Sequence, residues 1–284
     1  MILTTKLIQI PVWNSQKQMR RSQNESRAAF WVIVNQVNMS QLGTTEVLPV
    51  ARTLFGDRAS GPELYTSGWG GFPNARRELY AFMRENSIID NVVLSGDSHG
   101  WFAHDLVEDP SIPNYLPALS SSGPGGLLQT VGVELVPSSL GRPGGGEVVA
   151  GIIYEQTMGR AVREDYDNFH ENFVPLGKAA IKALETAAKL ANPNLRYFNW
   201  RSYGYGISHI TENSHIFELW EVAYPKANGR SKLIQQFDNR KGNPGLLARN
   251  LFGRSETGGT DDVDRDSLPP EQTQAREFTE QIDR

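Results

Sequence analysis

The chain has 284 residues, a net charge of −4 and no cysteine. So small a charge gives no general attraction to nucleic acid or to an anionic membrane, and neither is expected as a partner. Without thiolates, any metal must be bound through oxygen and imidazole. No run approaches the roughly 20 apolar residues of a membrane helix. The first residues lack the layout of an export signal, so the sequence predicts no compartment.

Apolar runs alternate with helical periodicities along the chain, which predicts an α/β fold. The β-branched and aromatic run 30–34 follows a polar segment at 14–29 and predicts a strand buried on both faces. A long irregular stretch at 40–70 leads to a helix that begins at Pro73 and ends near Asn86. The later predicted elements are strands at 91–96, 101–106, 131–136, 204–210 and 214–222, and a helix at 174–191.

Composition suggests where the folded domain ends. Glycine- and proline-rich segments at 120–126 and 141–146 predict loops within it. Beyond Pro225 the hydrophobic content falls and acidic, Pro-, Glu- and Gln-rich sequence takes over. The sequence therefore predicts one domain over 1–225 and a peripheral or partly disordered tail over 226–284.

Two side chains that can bind metal follow the predicted strand ending at Ser95-Gly96. They are Asp97 and His99, separated by one residue. Side chains at this spacing share a face of a strand, and a turn at glycine can orient them around an ion. A carboxylate with an imidazole suits a cation that neutralises phosphate. The alternative is a plain strand–loop junction, in which Asp97 caps the turn and His99 lies on the surface.

Asn35 and Gln36 end the other apolar strand. Parallel sheets place their sites at the carboxyl ends of strands, so Asn35 is a second candidate, as a metal ligand through its amide oxygen or a phosphate contact through its NH₂. The alternative is a polar turn without further function.

Other histidines carry weaker signals. His104-Asp105 could lie behind a metal site or relay protons, or could be an exposed feature of its strand. A Ser–His–Asp triad finds no support because the Gly-x-Ser-x-Gly turn is absent, and neither a Walker nor a dinucleotide glycine motif occurs. Surface or packing roles are expected for His170, His209 and His215.

Five segments resemble motifs of one family and occur in the same order as in that family. The resemblance of the five together is stronger than that of any single segment. They contain a strand ending in Asn-Gln, a Trp-Gly-Gly-Phe-Pro…Arg segment, a Gly-Asp-x-His strand, a Glu-Leu-Val…Ser stretch and an Asn-Pro-x-Leu-Arg-Tyr…Gly-Tyr signature. Together they resemble the alkaline phosphatase D (PhoD-like) family of metallophosphoesterases. The segments are 30–37, 69–76, 91–106, 133–138 and 192–199 with Gly204-Tyr205.

The resemblance implies hydrolysis of phosphate monoesters or diesters, with a small phosphate ester as substrate. It implies a metal site, with iron and calcium as the ions, on a β-sandwich flanked by helices. Asp97 and His99 would be ligands from the last motif of that site, and Asn35 would lie near the metals or the phosphate.

The sequence also departs from the family pattern. Gly70 stands where the family usually has Asp, and the family's earlier motifs, Gly-Asp-x-x-Tyr and Trp-Asp-Asp-His-Glu, are not found. The resemblance is thus to the C-terminal half of such an enzyme, a partial sandwich that lacks its N-terminal half. Two hypotheses stay open: a metal-dependent phosphoesterase, or a catalytically silent remnant or partner-binding module. An open sheet edge would favour a homo-oligomer or pairing with the missing half.

Overall fold

The structure is a computed structural model, and it describes residues 28–43, 68–108, 130–159, 161–223 and 231–249. Several sequence-based predictions fall wholly or mostly outside these ranges. They are the polar segment at 14–29, most of the irregular stretch at 40–70, the loop at 120–126 and the end of the predicted tail from residue 250.

The first sheet contains five strands: β1 (Trp31–Val34), β2 (Asn91–Leu94), β3 (Trp101–Leu106), β4 (Gly132–Val136) and β5 (Leu195–Asn199). Their order across the sheet is β1-β2-β4-β3-β5. β1, β2 and β4 run parallel, while β3 is antiparallel to both of its neighbours. The three parallel strands therefore present their carboxyl ends at the same edge of the sheet.

The second sheet is an antiparallel meander of four strands: β6 (Tyr203–Ile210), β7 (Ser214–Val222), β8 (Ser231–Arg240) and β9 (Asn243–Ala248). β6 and β7 were predicted, with the turn at 211–213 between them. β8 and β9 lie in the stretch that the sequence assigned to a tail, and for residues 231–248 that assignment is wrong. Phe237 and Leu246 explain why, because both are buried in the core.

One core lies between the two sheets. Trp101, Val133 and Leu135 of the first sheet share a buried cluster with Phe217 and Phe237 of the second. The opposite face of the first sheet is covered by helices. Since both of its faces are covered, β3 and β4 are buried along their whole length. β1 differs from the prediction, because as an edge strand it leaves Val34 exposed.

Three long helices occur in the described part of the chain: α1 (Pro73–Glu85), α2 (Gly145–Met158) and α3 (Val174–Ala191). α1 begins at its proline as predicted, and α3 has the predicted bounds. None of the described helices combines the length and apolar character that a bilayer span requires. The fold is thus mixed α/β, with two sheets and helices, as predicted in class.

α2 and β5 were not predicted. The run of glycines before α2 suggested a loop, yet Gly145 and Gly146 form its first turn. At the N-terminus the carboxylate of Glu147 accepts a hydrogen bond from the Gly144 amide at 3.2 Å, which satisfies an otherwise free donor. The glycines are there because other groups approach closely: a Cβ at Gly146 would lie 2.8 Å from the Lys178 side chain of α3.

Substituting Gly177 tests this close helix contact. A Cβ there would collide with the carbonyl oxygen of Gly146 and lie 2.6 Å from the amide nitrogen of Ala150. We expect Gly177→Ala to lower the free energy of unfolding by about 1–3 kcal/mol, because α2 and α3 must separate. Urea unfolding measures the change.

Gly151→Ala is the matched control. It is also a helical glycine, but its nearest neighbour would be the Val162 Cγ2 at 4.0 Å. Alanine there should be neutral or should stabilise by about 0.5–1 kcal/mol through helix propensity. If both variants behaved alike, close packing at Gly177 would be excluded.

Candidate functional site

The first two predicted strand tips lie side by side at the carboxyl edge, the name used here for 35–36, 95–99 and Val136 at the ends of β1, β2 and β4. The amide of Asn35 donates to the carbonyl of Leu94 at 2.9 Å. A Cβ on Gly96 would lie 3.7 Å from the carbonyl oxygen of Gln36. Parallel pairing of β1 with β2 thus brings together two segments separated by about 60 residues in the sequence.

The turn that carries Asp97 and His99 has an uncommon backbone. Strand β2 ends at Leu94, two residues before the predicted end. Asp97 has φ 70° and His99 has φ 51°, so both adopt the left-handed conformation. Asp and His are among the side chains that tolerate this region, and such residues cluster at functional sites. The Ser98 amide donates to the Gly96 carbonyl at 2.9 Å and tightens the turn.

His99 is held in a defined orientation. Its Nδ1 lies 3.1 Å from the carbonyl oxygen of Pro143. A carbonyl can only accept, so Nδ1 carries a proton, and the neutral tautomer with that proton presents the lone pair of Nε2. Histidines that bind metals through one nitrogen commonly donate from the other to a carbonyl in this way. Asp97, by contrast, is exposed at the tip of the turn.

Asn35 is half-buried at the end of β1. Its Nδ2 donates to the carbonyl of Val37 at 2.6 Å, within the turn that follows the strand. This bond fixes the side chain against its own backbone. Asn35 lies beside the Gly96 turn, and its role as ligand or phosphate contact stays a prediction.

Glu134 is a key residue that sequence reasoning did not single out. It lies in the middle of β4, is completely buried and accepts three hydrogen bonds from the segments that follow β1 and β2. Its Oε1 accepts from the Met39 amide at 2.6 Å and from the Ser95 hydroxyl at 2.5 Å, and its Oε2 accepts from the Ser40 amide at 2.8 Å. One carboxylate therefore ties the segments after β1 and β2 to β4.

Burial raises the pKa of the Glu134 carboxyl, and the hydrogen bonds from Met39 and Ser95 oppose that rise. Nearby, the buried Tyr80 of α1 donates to the Met39 carbonyl at 3.3 Å. The pKa of Tyr80 is well above its usual value because of burial and then the Glu134 charge, while Arg76 acts in the opposite direction. Arg76 is itself buried and donates to Gln41 Oε1 at 2.5 Å.

A signal for Glu134 was present in the sequence. Its neighbours form an otherwise apolar strand, Val133-Glu134-Leu135-Val136. A carboxylate in such a strand must be paired or hydrogen-bonded if the strand is buried on both faces. The missing information was that β4 is the central strand of its sheet.

His104 and Asp105 do not act as a pair, because adjacent residues of β3 face opposite sides of the sheet. Both are buried, so the expectation of an exposed strand feature is wrong. Asp105 accepts the Leu246 amide at 2.8 Å and lies 3.6 Å from the Arg196 guanidinium, which ties β9 to the first sheet. His104 stacks on Phe102 with ring centroids 6.0 Å apart, and burial lowers its pKa to about 3.

The described residues do not assemble a complete metal centre. No group of three or more His, Cys, Asp or Glu side chains with suitable spacing occurs among them. Asp97 and His99 supply two candidate ligands, whereas a stable hydrolytic metal site takes at least three from the protein. Within this part of the chain, the donor set therefore does not fit a metal ion by itself.

Comparisons with known proteins agree with the resemblance. A family model described as PhoD-like phosphatase matches residues 14–219. A solved structure entitled "Structure of PhoD" shares the fold with a TM-score of 0.51 and 15% sequence identity, over 89% of this chain and 37% of that chain. The chain thus spans little more than a third of the length of that structure. No curated protein matches the sequence.

Replacing Glu134 tests its role as the tie at the carboxyl edge. In Glu134→Gln one carboxylate oxygen becomes an NH₂ group, which cannot accept from a backbone amide. We expect a loss of about 1–3 kcal/mol in the free energy of unfolding, measured with urea. Glu147→Gln is the control, since this buried carboxylate accepts one backbone amide rather than two. An equal or smaller loss for Glu134→Gln would contradict the assignment.

His104 predicts a pH effect. The folded protein keeps this imidazole neutral down to about pH 3, whereas in the unfolded chain it binds a proton below about pH 6.5. Its contribution to stability is thus complete above pH 6.5 and lost as pH falls. His104→Phe keeps the stack on Phe102 but cannot titrate. We expect the stability of wild type relative to this variant to fall by up to about 1.4 kcal/mol per unit below pH 6. If the free energies of unfolding of wild type and His104→Phe, measured with urea, changed by the same amount from pH 8 to pH 5, this prediction would be wrong.

Proposed function

Because the chain belongs to the PhoD-like phosphatase family, we propose that it hydrolyses phosphate esters, with small monoesters or diesters as substrates. The observation that carries the proposal is the carboxyl edge, where parallel pairing sets Asn35 beside the turn of Asp97 and His99. Sites in sheets with parallel strands lie at such edges. The solved PhoD structure supports the fold alone, at 15% identity.

The proposed role of Asp97 and His99 is to supply two ligands to a metal site. The orientation of His99 supports this, because its proton is directed at Pro143 and its Nε2 lone pair is left for a ligand. The exposed carboxylate of Asp97 lies on the same turn. Iron and calcium, implied by the family resemblance, are the ions to test first; a bound cation would neutralise charge on the ester.

Asn35 is proposed as a ligand or as a phosphate contact. Its amide oxygen can bind a hard cation, and its NH₂ group can donate to a phosphate oxygen. As a neutral residue next to the Asp97 turn, it adds no negative charge that would repel an anionic ester. Its hydrogen bond to Val37 keeps it at the edge.

The second candidate function is a catalytically silent binding module. The observation in its favour is that the described part of the carboxyl edge offers two acidic or imidazole ligands, Asp97 and His99, rather than three. Two ligands hold a catalytic ion weakly. The two proposals differ in a measurable quantity, the amount of metal that the chain binds.

The test combines activity with metal content. Hydrolysis of p-nitrophenyl phosphate and bis-p-nitrophenyl phosphate is measured with added Fe³⁺, Ca²⁺ or Mn²⁺, and bound metal is determined by elemental analysis. If the phosphoesterase proposal holds, Asp97→Asn and His99→Gln should each lower kcat/KM about 100-fold or more and release metal, since each removes a ligand. His209→Gln is the control, because this exposed histidine lies on β6 in the other sheet, with its Nε2 3.5 Å from Glu218 Oε2.

Two outcomes contradict parts of the proposal. A wild type that turns over, with Asp97→Asn equally active, would remove Asp97 from the site. A wild type that neither binds metal nor hydrolyses either ester would favour the binding module.

A further inference from the structure

We propose that Trp200 is a positioning residue that fixes the turn bearing Asp97 and His99. Its functional meaning rests on the proposed phosphoesterase site, whereas its structural claim concerns the turn alone. Trp200 follows β5, which lies at the edge of the first sheet opposite β1, and its side chain reaches the turn that follows β2. Nothing in its sequence surroundings marks it, because it stands in a polar loop between two strands.

The backbone of Trp200 is anchored on both sides. Its amide donates to Glu185 Oε1 at 2.6 Å, from a buried carboxylate on α3. Glu185 also accepts the guanidinium of the next residue, Arg201, at 2.9 and 3.0 Å. The carbonyl of Trp200 accepts the amide of Gly146 in the first turn of α2 at 3.2 Å. Two helices thus hold the residue in place.

The indole connects this anchor to the candidate ligands. Its Nε1 donates to the carbonyl of Ser98 at 2.8 Å, and Ser98 is the residue between Asp97 and His99. Ser98 is itself buried, with 4% of its surface exposed. This hydrogen bond therefore holds the peptide between Ser98 and His99, within the turn that has two left-handed residues.

The ring fits a slot that only glycines leave open. A Cβ on Gly100 would lie 2.5 Å from the indole Cδ1, and a Cβ on Gly145 would lie 2.5 Å from its Cδ2. Real side chains at either position would displace the indole. The glycines after the Asp-x-His turn and at the start of α2 are thus explained by the tryptophan between them, which is a second observation independent of the hydrogen bonds.

The consequence is a rigid path from α3 to the turn: Glu185, Trp200, Ser98. Sites need ligands held to within about 0.5 Å by groups that do not themselves contact the ion. Loss of the indole N–H should let the turn relax toward the common backbone region, moving the Asp97 carboxylate relative to the His99 ring. The effect is expected on affinity and on local dynamics, with little change in global stability.

The experiment compares Trp200→Phe with Trp220→Phe in the full chain. The control is matched, since the Trp220 indole also donates to an oxygen, Glu218 Oε2 at 3.0 Å, but on the second sheet. Amide hydrogen exchange over 97–100 and the Kd for Mn²⁺ are measured for both. Trp200→Phe should speed exchange in this segment roughly fivefold, as expected for one lost hydrogen bond, and weaken Mn²⁺ binding about 10–100-fold. Trp220→Phe should change neither.

Glu185→Gln provides a second test, because it weakens the anchor while keeping the indole; it should shift both readouts in the same direction. Unchanged exchange over 97–100 in Trp200→Phe, or an equal change in Trp220→Phe, would overturn the proposal. A wild type that binds no Mn²⁺ would count against the proposed metal role of Asp97 and His99, and hydrogen exchange would still decide whether Trp200 holds the turn.

Discussion

The arrangement of the carboxyl edge depends on one buried carboxylate. Glu134, in the middle of β4, accepts the amides of Met39 and Ser40 and the hydroxyl of Ser95, so it joins the segments that follow β1 and β2 to β4. Leaving any of these donors unpaired in the core would cost about 1–3 kcal/mol. The geometry is therefore specified by polar groups that must be satisfied, more than by the non-directional apolar packing around them.

A second buried carboxylate, Glu185, acts in a similar way without contacting the turn itself. Glu185 does not point into the candidate site, yet through Trp200 it holds the turn between the two candidate ligands. Both glutamates are buried, while Asp97 is exposed. This division fits the proposed roles: a structural carboxylate gains from fixed donors in a dry environment, and a carboxylate proposed to bind an exchangeable ligand must be accessible.

Sequence patterns identified the elements whose signal is local. The proline at the start of α1, the helical periodicity of α3 and the turn between β6 and β7 each specify their element without help from the rest of the fold. α2 and β5 were not predicted because they depend on tertiary contacts. The glycines at the start of α2 are typical of a loop in the sequence, but in the fold they leave room for the side chains of Trp200 and Lys178. β8 and β9 were not predicted because their few core residues, such as Phe237, are surrounded by polar sequence.

The candidate site divides along the same line. Asp97, His99 and Asn35 were proposed from sequence because metal-capable or amide side chains after apolar strands form a pattern that the sequence alone shows. Glu134 and Trp200 were not, since their importance lies in the groups that they join: amides 94 and 95 residues away for Glu134 and a carbonyl 102 residues away for Trp200. Residues that contact a ligand can thus be proposed from chemistry and spacing, whereas those that hold them in place require the fold. For this chain the residues that hold the turn matter most, because two candidate ligands on a turn that is not fixed would bind no ion tightly.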